Sequence, residues 1–410
     1  CGHAHARFTG AMPAAEVVSV FSRFDKDGSG TMSQDQLSAV FKALNQKALA
    51  PEEIDCLVRA GKCKDGKLNI EEFVAWLFAA VKPPAPKMVT EGCGRAARVD
   101  GGFGWLMKAN SKSDREARQA IGAATREAVK AGGFQLGSAV IQLQHVREML
   151  EGTRLLSPNL PGWPQLPKST LETTELLVER GTVMDVAVNW AKKGEKVVAV
   201  NAASAYHAGG GFLTGGRHAL EEAMCVQSSL YESLERGISL AEDAQLKVPS
   251  WARPPARRDG SPWVLHLPDD GVLLSPMVEV FRDGTMHGYG FRETATVLTA
   301  VVSVAMPNCN EKMSDSPVDA HPETEGYKKQ LSQKWLAVLQ AASSCLEATT
   351  LVVPDAGCGV FYNQPEAVGT SFGEVLRQFR GRFARVLISF PGGKAGERFA
   401  AAAQVAFGGS

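Results

Sequence analysis

The chain has no excess of either charge: 44 Lys and Arg balance 44 Asp and Glu over 410 residues. A general nucleic-acid binder presents a basic face, so that class is excluded; one small anionic ligand held by local donors is not. Its eight cysteines, Cys1, Cys56, Cys63, Cys93, Cys225, Cys309, Cys345 and Cys358, include no CxxC pair. That removes the usual structural zinc patterns. The cysteine density is also far too low for a disulfide scaffold, so reduced thiols are expected, in a soluble protein of the cytoplasm or nucleus. No apolar run approaches ~18 residues, and no helical membrane span is expected. The first residue is Cys rather than Met, which leaves room for a targeting segment ahead of it.

A chain of this length holds two or three domains. Residues 13–81 alternate helical patterns with short polar loops. Residues 82–114, with "KPPAPK" and "EGCGRAARVDGGFG", read as a Pro- and Gly-rich linker. In residues 115–410, apolar runs at 195–203, 294–307, 348–357 and 384–390 are rich in Val and Leu and do not alternate. They predict strands buried on both faces. Helices are expected over 219–237, 324–344 and 366–379, and a long loop over 250–270. Strand and helix in alternation predict an α/β layer fold with a central sheet. Trp263 and Trp335 are expected in its core.

The N-terminal region carries "DKDGSGTMSQDQ", Asp25 to Gln36. Asp25, Asp27 and Ser29 supply oxygens at positions one, three and five. Gly30 makes the sharp turn at six, and Thr31 offers its carbonyl at seven. Helical patterns flank the stretch, which matches an EF-hand calcium loop. Gln36 stands at position twelve, where a bidentate Glu is usual, so one full charge is missing. A second loop, Gly61 to Glu72, keeps Gly66 and Glu72 but has Gly61 and Cys63 at positions one and three. It reads as the structural partner of the first. The pair resembles an all-α EF-hand lobe with calcium as its ion.

Farther on, the strand ending at Asn201 runs into "GGGFLTGGRHALEE", residues 209–222. Glycines past a buried strand place backbone amides at a sheet edge, where open α/β folds bind ligands. A dinucleotide fingerprint fails, because its third glycine falls on Thr214. "GCGVFYN", residues 357–363, forms a second glycine loop after a strand, and two such loops could clamp a diphosphate. Taken alone, Glu221 and Glu222 are acids favoured at a helix start. His207 and His218 read as loop residues without a role. Cys358 reads as a small residue in a tight loop rather than a nucleophile.

Three glycines, a short spacer and a Glu-Glu pair resemble the signature of microbial-type poly(ADP-ribose) glycohydrolases, a macrodomain-like family. "REARQAIGAATREAVKAGGF" (115–134), "LLSPMVEVFRDG" (273–284), "VVSVAMPN" (301–308) and "GCGVFYNQP" (357–365) resemble further stretches of that family, in order. The resemblance implies a three-layer α/β domain with a central mixed sheet over 115–410. It implies hydrolysis of glycosidic bonds to ADP-ribose on ADP-ribosylated protein, with no cofactor needed for catalysis. Glu222 would be the acid/base, and Glu221 would hold it or the leaving ribose. Asn201 would contact ribose, and Gly209, Gly210 and Gly211 would wrap ribose and phosphate. Gly357, Cys358, Gly359 and Val360 would cradle the diphosphate, with Phe361 against the ribose and Asn363 completing the loop. Leu220 stands where the family has Gln, which leaves the choice between poly- and mono-ADP-ribose open. It also leaves open a non-catalytic ADP-ribose reader; a calcium-responsive adaptor is the third alternative.

Overall fold

A computed structural model of the chain describes residues 31–33, 36, 40, 67–69, 112–165, 169, 171–246, 265–313, 316, 318, 321, 322 and 324–409. The chain divides into two compact units, Cys1–Ala85 and Pro86–Ser410. In the first unit, strand β1 (Thr31–Ser33) pairs antiparallel with β2 (Lys67–Asn69), Met32 opposite Leu68. Both strands occupy positions seven to nine of the two twelve-residue loops. Met32 is buried and Gln36 exposed, while Asp25, Asp27 and Ser29 lie outside the described residues.

Among the described residues, the second unit begins with helix α1 (Lys112–Ala131), the hairpin β3 (Gly133–Leu136) and β4 (Ala139–Gln142), and helix α2 (Val146–Gly152). Strands β5 (Arg154–Leu156) and β6 (Glu175–Arg180) follow, then helix α3 (Val183–Lys192) and strand β7 (Val197–Ala202). Next come helices α4 (Leu220–Gln227) and α5 (Leu230–Asp243) and the long strands β8 (Val272–Arg282) and β9 (Phe291–Val304). Helix α6 (Glu325–Ser344), strand β10 (Thr350–Val353), helix α7 (Pro365–Arg377), strand β11 (Arg385–Phe390) and helix α8 (Lys394–Gly408) close the chain.

Seven of these strands form one mixed sheet in the order β5-β8-β9-β7-β10-β11-β6. The β5–β8 and β8–β9 pairs are antiparallel, and the other four pairs are parallel. Its central strands read as unbroken apolar runs because both faces are covered. Val198, Val200, Val302 and Val353 point to one core with Trp335 of α6, Phe372 of α7 and Phe399 of α8. Val197, Ala199, Val301 and Val352 point to the other, with Val186 of α3, Met224 of α4 and Leu234 of α5. The result is helix, sheet, helix: the three layers expected. Trp335 is buried in the first core, whereas Trp263 lies outside the described residues.

Two helix expectations are corrected. The helix predicted over 219–237 breaks between α4 and α5, because Ser228 turns extended and bridges to Val280 of β8. Ser229 N–H donates to the Glu279 carbonyl at 3.0 Å, which ties the break to the sheet. The helix expected over 366–379 begins one residue earlier, at Pro365, whose missing N–H suits a first helical turn, and ends at Arg377.

Candidate active site

Strand β7 carries the chain to the carboxyl edge of the parallel strands, and the glycine stretch runs from there to α4. Gly209 and Gly210 take φ of 72° and 54°, a region glycine enters at little cost. A Cβ on Gly210 would overlap the Glu222 carboxylate, and one on Gly209 the Tyr231 ring. The stretch therefore folds tightly over the first turn of α4 and donates to it. Ser204 N–H and Gly209 N–H donate to the two oxygens of Glu221, at 3.0 and 3.1 Å. Gly211 N–H and Ala219 N–H donate to the two oxygens of Glu222, at 2.9 and 3.1 Å. The Ala219 bond is the returning half of a capping box; alanine has no side-chain oxygen for the other half.

The structure places the first glycine loop against the start of α4. The Gly209 and Gly211 amides hold the protein's own carboxylates, the Gly210 N–H donates to the His207 carbonyl at 2.9 Å, and Gly210 lines the cleft. Asn201 is also farther in than expected. It is fully buried, with Nδ2 donating to Ser303 Oγ at 3.1 Å. Cys225 beneath the pair has its thiol pushed well up by burial and by Glu221 and Glu222, which makes it inert.

The second glycine loop forms the opposing wall. Gly357, at φ 72°, sits where a Cβ would press on Asn363 and Met306, whereas Gly359 borders open space. Gly357, Gly359, Val360 and Phe361 line the cleft. Asn363 does not: it is buried behind the loop as a brace. Its Nδ2 donates to the carbonyls of Pro307 and Gly357, at 2.7 and 3.0 Å, and its Oδ1 accepts from the Tyr327 hydroxyl at 3.0 Å. The Cys358 thiol is pushed up by burial, then by Asp355 and Glu366, so it is no nucleophile.

The cleft between these walls measures about 400 Å³, and Leu220, Glu221 and Glu222 lie along one side of it. Three helices begin at its rim. Thr182–Met184 start α3, Ala219–Met224 start α4, and Pro391 and Gly392 lead into α8. Each helix start brings partial positive charge, set against the carboxyl groups of Glu221, Glu222 and Asp355, and no Lys or Arg is among the described residues lining the cleft.

Sequence reasoning missed two residues of this cleft. Asp355, just past β10, lines it, and burial raises its carboxyl to about 6. Its position, an acid at the carboxyl end of a buried strand, was the available signal. His218, read as a loop residue without a role, is fully buried and also lines the cleft. Its Nδ1 lies 3.1 Å from the Tyr289 hydroxyl. Burial, then the charge of Arg118, lowers it to about 3, so the ring is neutral at ordinary pH. No sequence signal announced that contact, because Tyr289 is brought there by the β8–β9 turn.

Residues 122–283 match the family model described as microbial-type PARG, catalytic domain. The crystal structure of poly(ADP-ribose) glycohydrolase from Thermomonospora curvata is 29% identical, with a TM-score of 0.55, and the match covers 71% of this chain and 100% of that one. Its complex with the inhibitor ADP-HPD gives 29% identity and a TM-score of 0.52, over 70% of this chain and 99% of that one. Elsewhere the likeness is to calcium-binding proteins. The calcium-binding allergen Ole e 8 of Olea europaea is 38% identical over 68 residues, and parvalbumin alpha of Mus musculus 41% over 61. These matches cover 17% and 14% of this chain and span only 40% and 56% of the two relatives.

Proposed function

We propose that this chain, which carries a microbial-type poly(ADP-ribose) glycohydrolase catalytic domain, hydrolyses the glycosidic bond that joins ADP-ribose to its polymer or acceptor. The observation that carries the reading is the Glu221–Glu222 pair: each carboxylate is gripped by two backbone N–H groups at the edge of a cleft where three helices begin. Backbone donors hold both acids without the freedom of side-chain partners, which is the preorganisation that a charged transition state rewards.

Glu222, less buried than Glu221 and first beside the cleft glycine Gly210, is the acid/base. Its proton passes to the leaving oxygen as the bond from that oxygen to the ribose anomeric carbon breaks. Water then attacks the oxocarbenium-like carbon and returns a proton to Glu222. Glu221, only 5% exposed, anchors the glycine loop through Ser204 and Gly209 rather than acting as a nucleophile. The usual glycosidase plan uses two reacting carboxylates; here one reacts and the other positions. The loop at 357–361 and the three helix starts take the diphosphate, whose binding is spent on orienting the ribose.

In the first unit, the ladder that joins Thr31–Ser33 to Lys67–Asn69 supports paired EF-hand loops, with calcium held by Asp25, Asp27, Ser29, the Thr31 carbonyl and Gln36.

Product analysis on poly- and mono-ADP-ribosylated protein tests the catalytic reading. Glu222→Gln should lower turnover by roughly 10²–10⁴-fold while still binding ADP-ribose. Undiminished hydrolysis by that variant would sink the assignment. Tight ADP-ribose binding by the parent chain with no turnover on any linkage would assign a reader instead.

A further inference from the structure

We infer that His218 is a built-in hydrogen-bond donor of the cleft, its Nε2–H directed at a hydroxyl of the ribose that lies beside Glu222. The inference rests on the proposed reading and adds a specificity residue to it.

Three observations carry it. The imidazole is fully buried, lines the cleft, and leaves Nε2 without a hydrogen-bond partner among the described residues. An unpaired buried polar atom at a cleft wall is costly unless a ligand or water completes it. Second, the ring cannot turn to escape that cost. Nδ1 is held by the Tyr289 hydroxyl at 3.1 Å, and the two rings meet edge to face, with centroids 5.3 Å apart. Tyr289 is itself fixed, fully buried at φ 55°, with its carbonyl accepting from the buried Arg282 at 2.8 Å. Because the nitrogens of an imidazole face away from each other, anchoring Nδ1 aims Nε2 away from Tyr289.

Third, the tautomer follows from the chain of donors. A phenol is a stronger acid than a neutral imidazole, so across the 3.1 Å contact the Tyr289 hydroxyl is the donor. The phenol proton then goes to Nδ1, and a neutral imidazole carries its hydrogen on Nε2. A neutral donor suits a sugar hydroxyl. His218 also adjoins Ala219, whose N–H holds Glu222, and the charge of Glu222 is felt at the Tyr289 hydroxyl. The donor and the reacting acid therefore serve the same end of the cleft. Leu220, two residues on, offers no polar group there.

The test is calorimetric binding of ADP-ribose and of analogues that each lack one hydroxyl of the terminal ribose. Binding does not require turnover, so it separates this inference from the catalytic one. The parent chain should discriminate against one analogue by about tenfold, the worth of one good hydrogen bond. His218→Phe should bind ADP-ribose about tenfold more weakly and lose that discrimination, and His218→Gln, which keeps an N–H donor, should recover part of both. A folded His218→Phe that binds every analogue as the parent does would overturn the inference alone. A parent chain that fails to bind ADP-ribose overturns it together with the proposed function. If His218→Phe does not fold, Tyr289→Phe takes its place, since losing the hydroxyl frees the tautomer; unchanged affinity and unchanged discrimination in that variant also count against the inference.

Discussion

Glu221 and Glu222 are neighbours in sequence, yet the fold gives them different partners. A helix turns by about 100° per residue, so adjacent side chains leave in different directions. Glu221 reaches back to Ser204 and Gly209, and Glu222 reaches Gly211 and Ala219. That they sit beside the glycines was legible in sequence; which amides each one takes was not, because it depends on what the folded loop offers. The calcium loop poses the opposite case, a residue whose consequence follows from chemistry alone. Gln36 replaces a bidentate carboxylate with a neutral amide, so one ligand charge is lost at position twelve. Titration of the whole chain with calcium should show one weak site, and Gln36→Glu should tighten it by roughly tenfold, to within the ~10⁻⁷–10⁻⁵ M range of sensor loops. If Asp25→Ala leaves calcium affinity unchanged, the first loop is not the site.

At the scale of elements, helix α1 acts as the backing plate of the glycine loop. Arg118, Gly122 and Thr125 share one face at helical spacing. Arg118 Nε donates to the Gly215 carbonyl at 2.9 Å, and Thr125 Oγ1 to the Val226 carbonyl at 3.0 Å. Between them, Gly122 lets the helix approach so closely that a Cβ would strike the Phe212 carbonyl. Gly122→Val should therefore lift the loop that holds Glu222. The expected result is a loss of ~1–3 kcal/mol in urea unfolding and ~10²-fold in turnover. Full activity in that variant would show that the loop does not depend on α1 for its shape. The stretch 115–134 drew notice only by its resemblance, and its contact with the loop was not legible. A glycine inside a helix reads locally as a weak point, and only the neighbour it admits explains it.

For the C-terminal unit as a whole, buried titratable groups set the response to acid. His218 and His266 are both held near 3, chiefly by burial, against about 6.5 in an unfolded chain. Between those values the unfolded state binds more protons, so stability is full above about pH 6.5 and is lost as pH falls toward 3. Asp355 works the other way. Raised to about 6 from 3.8, it binds its proton earlier in the folded state, so its contribution is present below about pH 4 and is lost as pH rises through 6. Glu195, held low chiefly by the Thr349 hydroxyl, adds a further loss in strong acid. Urea unfolding at pH 7, 5.5 and 4.5 should show declining stability, at about 1.4 kcal/mol per pH unit for each net proton taken up. Asp355→Asn should be more stable than the parent at pH 7 and decline more steeply below 6. A flat profile in that variant would refute the assignment of neutral buried histidines.

What the sequence by itself determined is everything that repeats along the chain or sits within one loop. The apolar runs required strands covered on both faces, since exposing them to water is costly. The glycine stretches required tight turns at strand ends, and the twelve-residue loop required hard oxygen ligands in a set order. The tertiary structure decided the rest, because it turns on pairs far apart in sequence. Glycine amides ended on the protein's own glutamates, Asn363 became a brace, and the helix expected over 219–237 broke where β8 offered Ser228 a partner. His218 and Tyr289, 71 residues apart, met in a buried contact that no spacing rule contains. Local propensity is settled by near neighbours, whereas a buried polar atom takes whatever partner the folded core brings within reach.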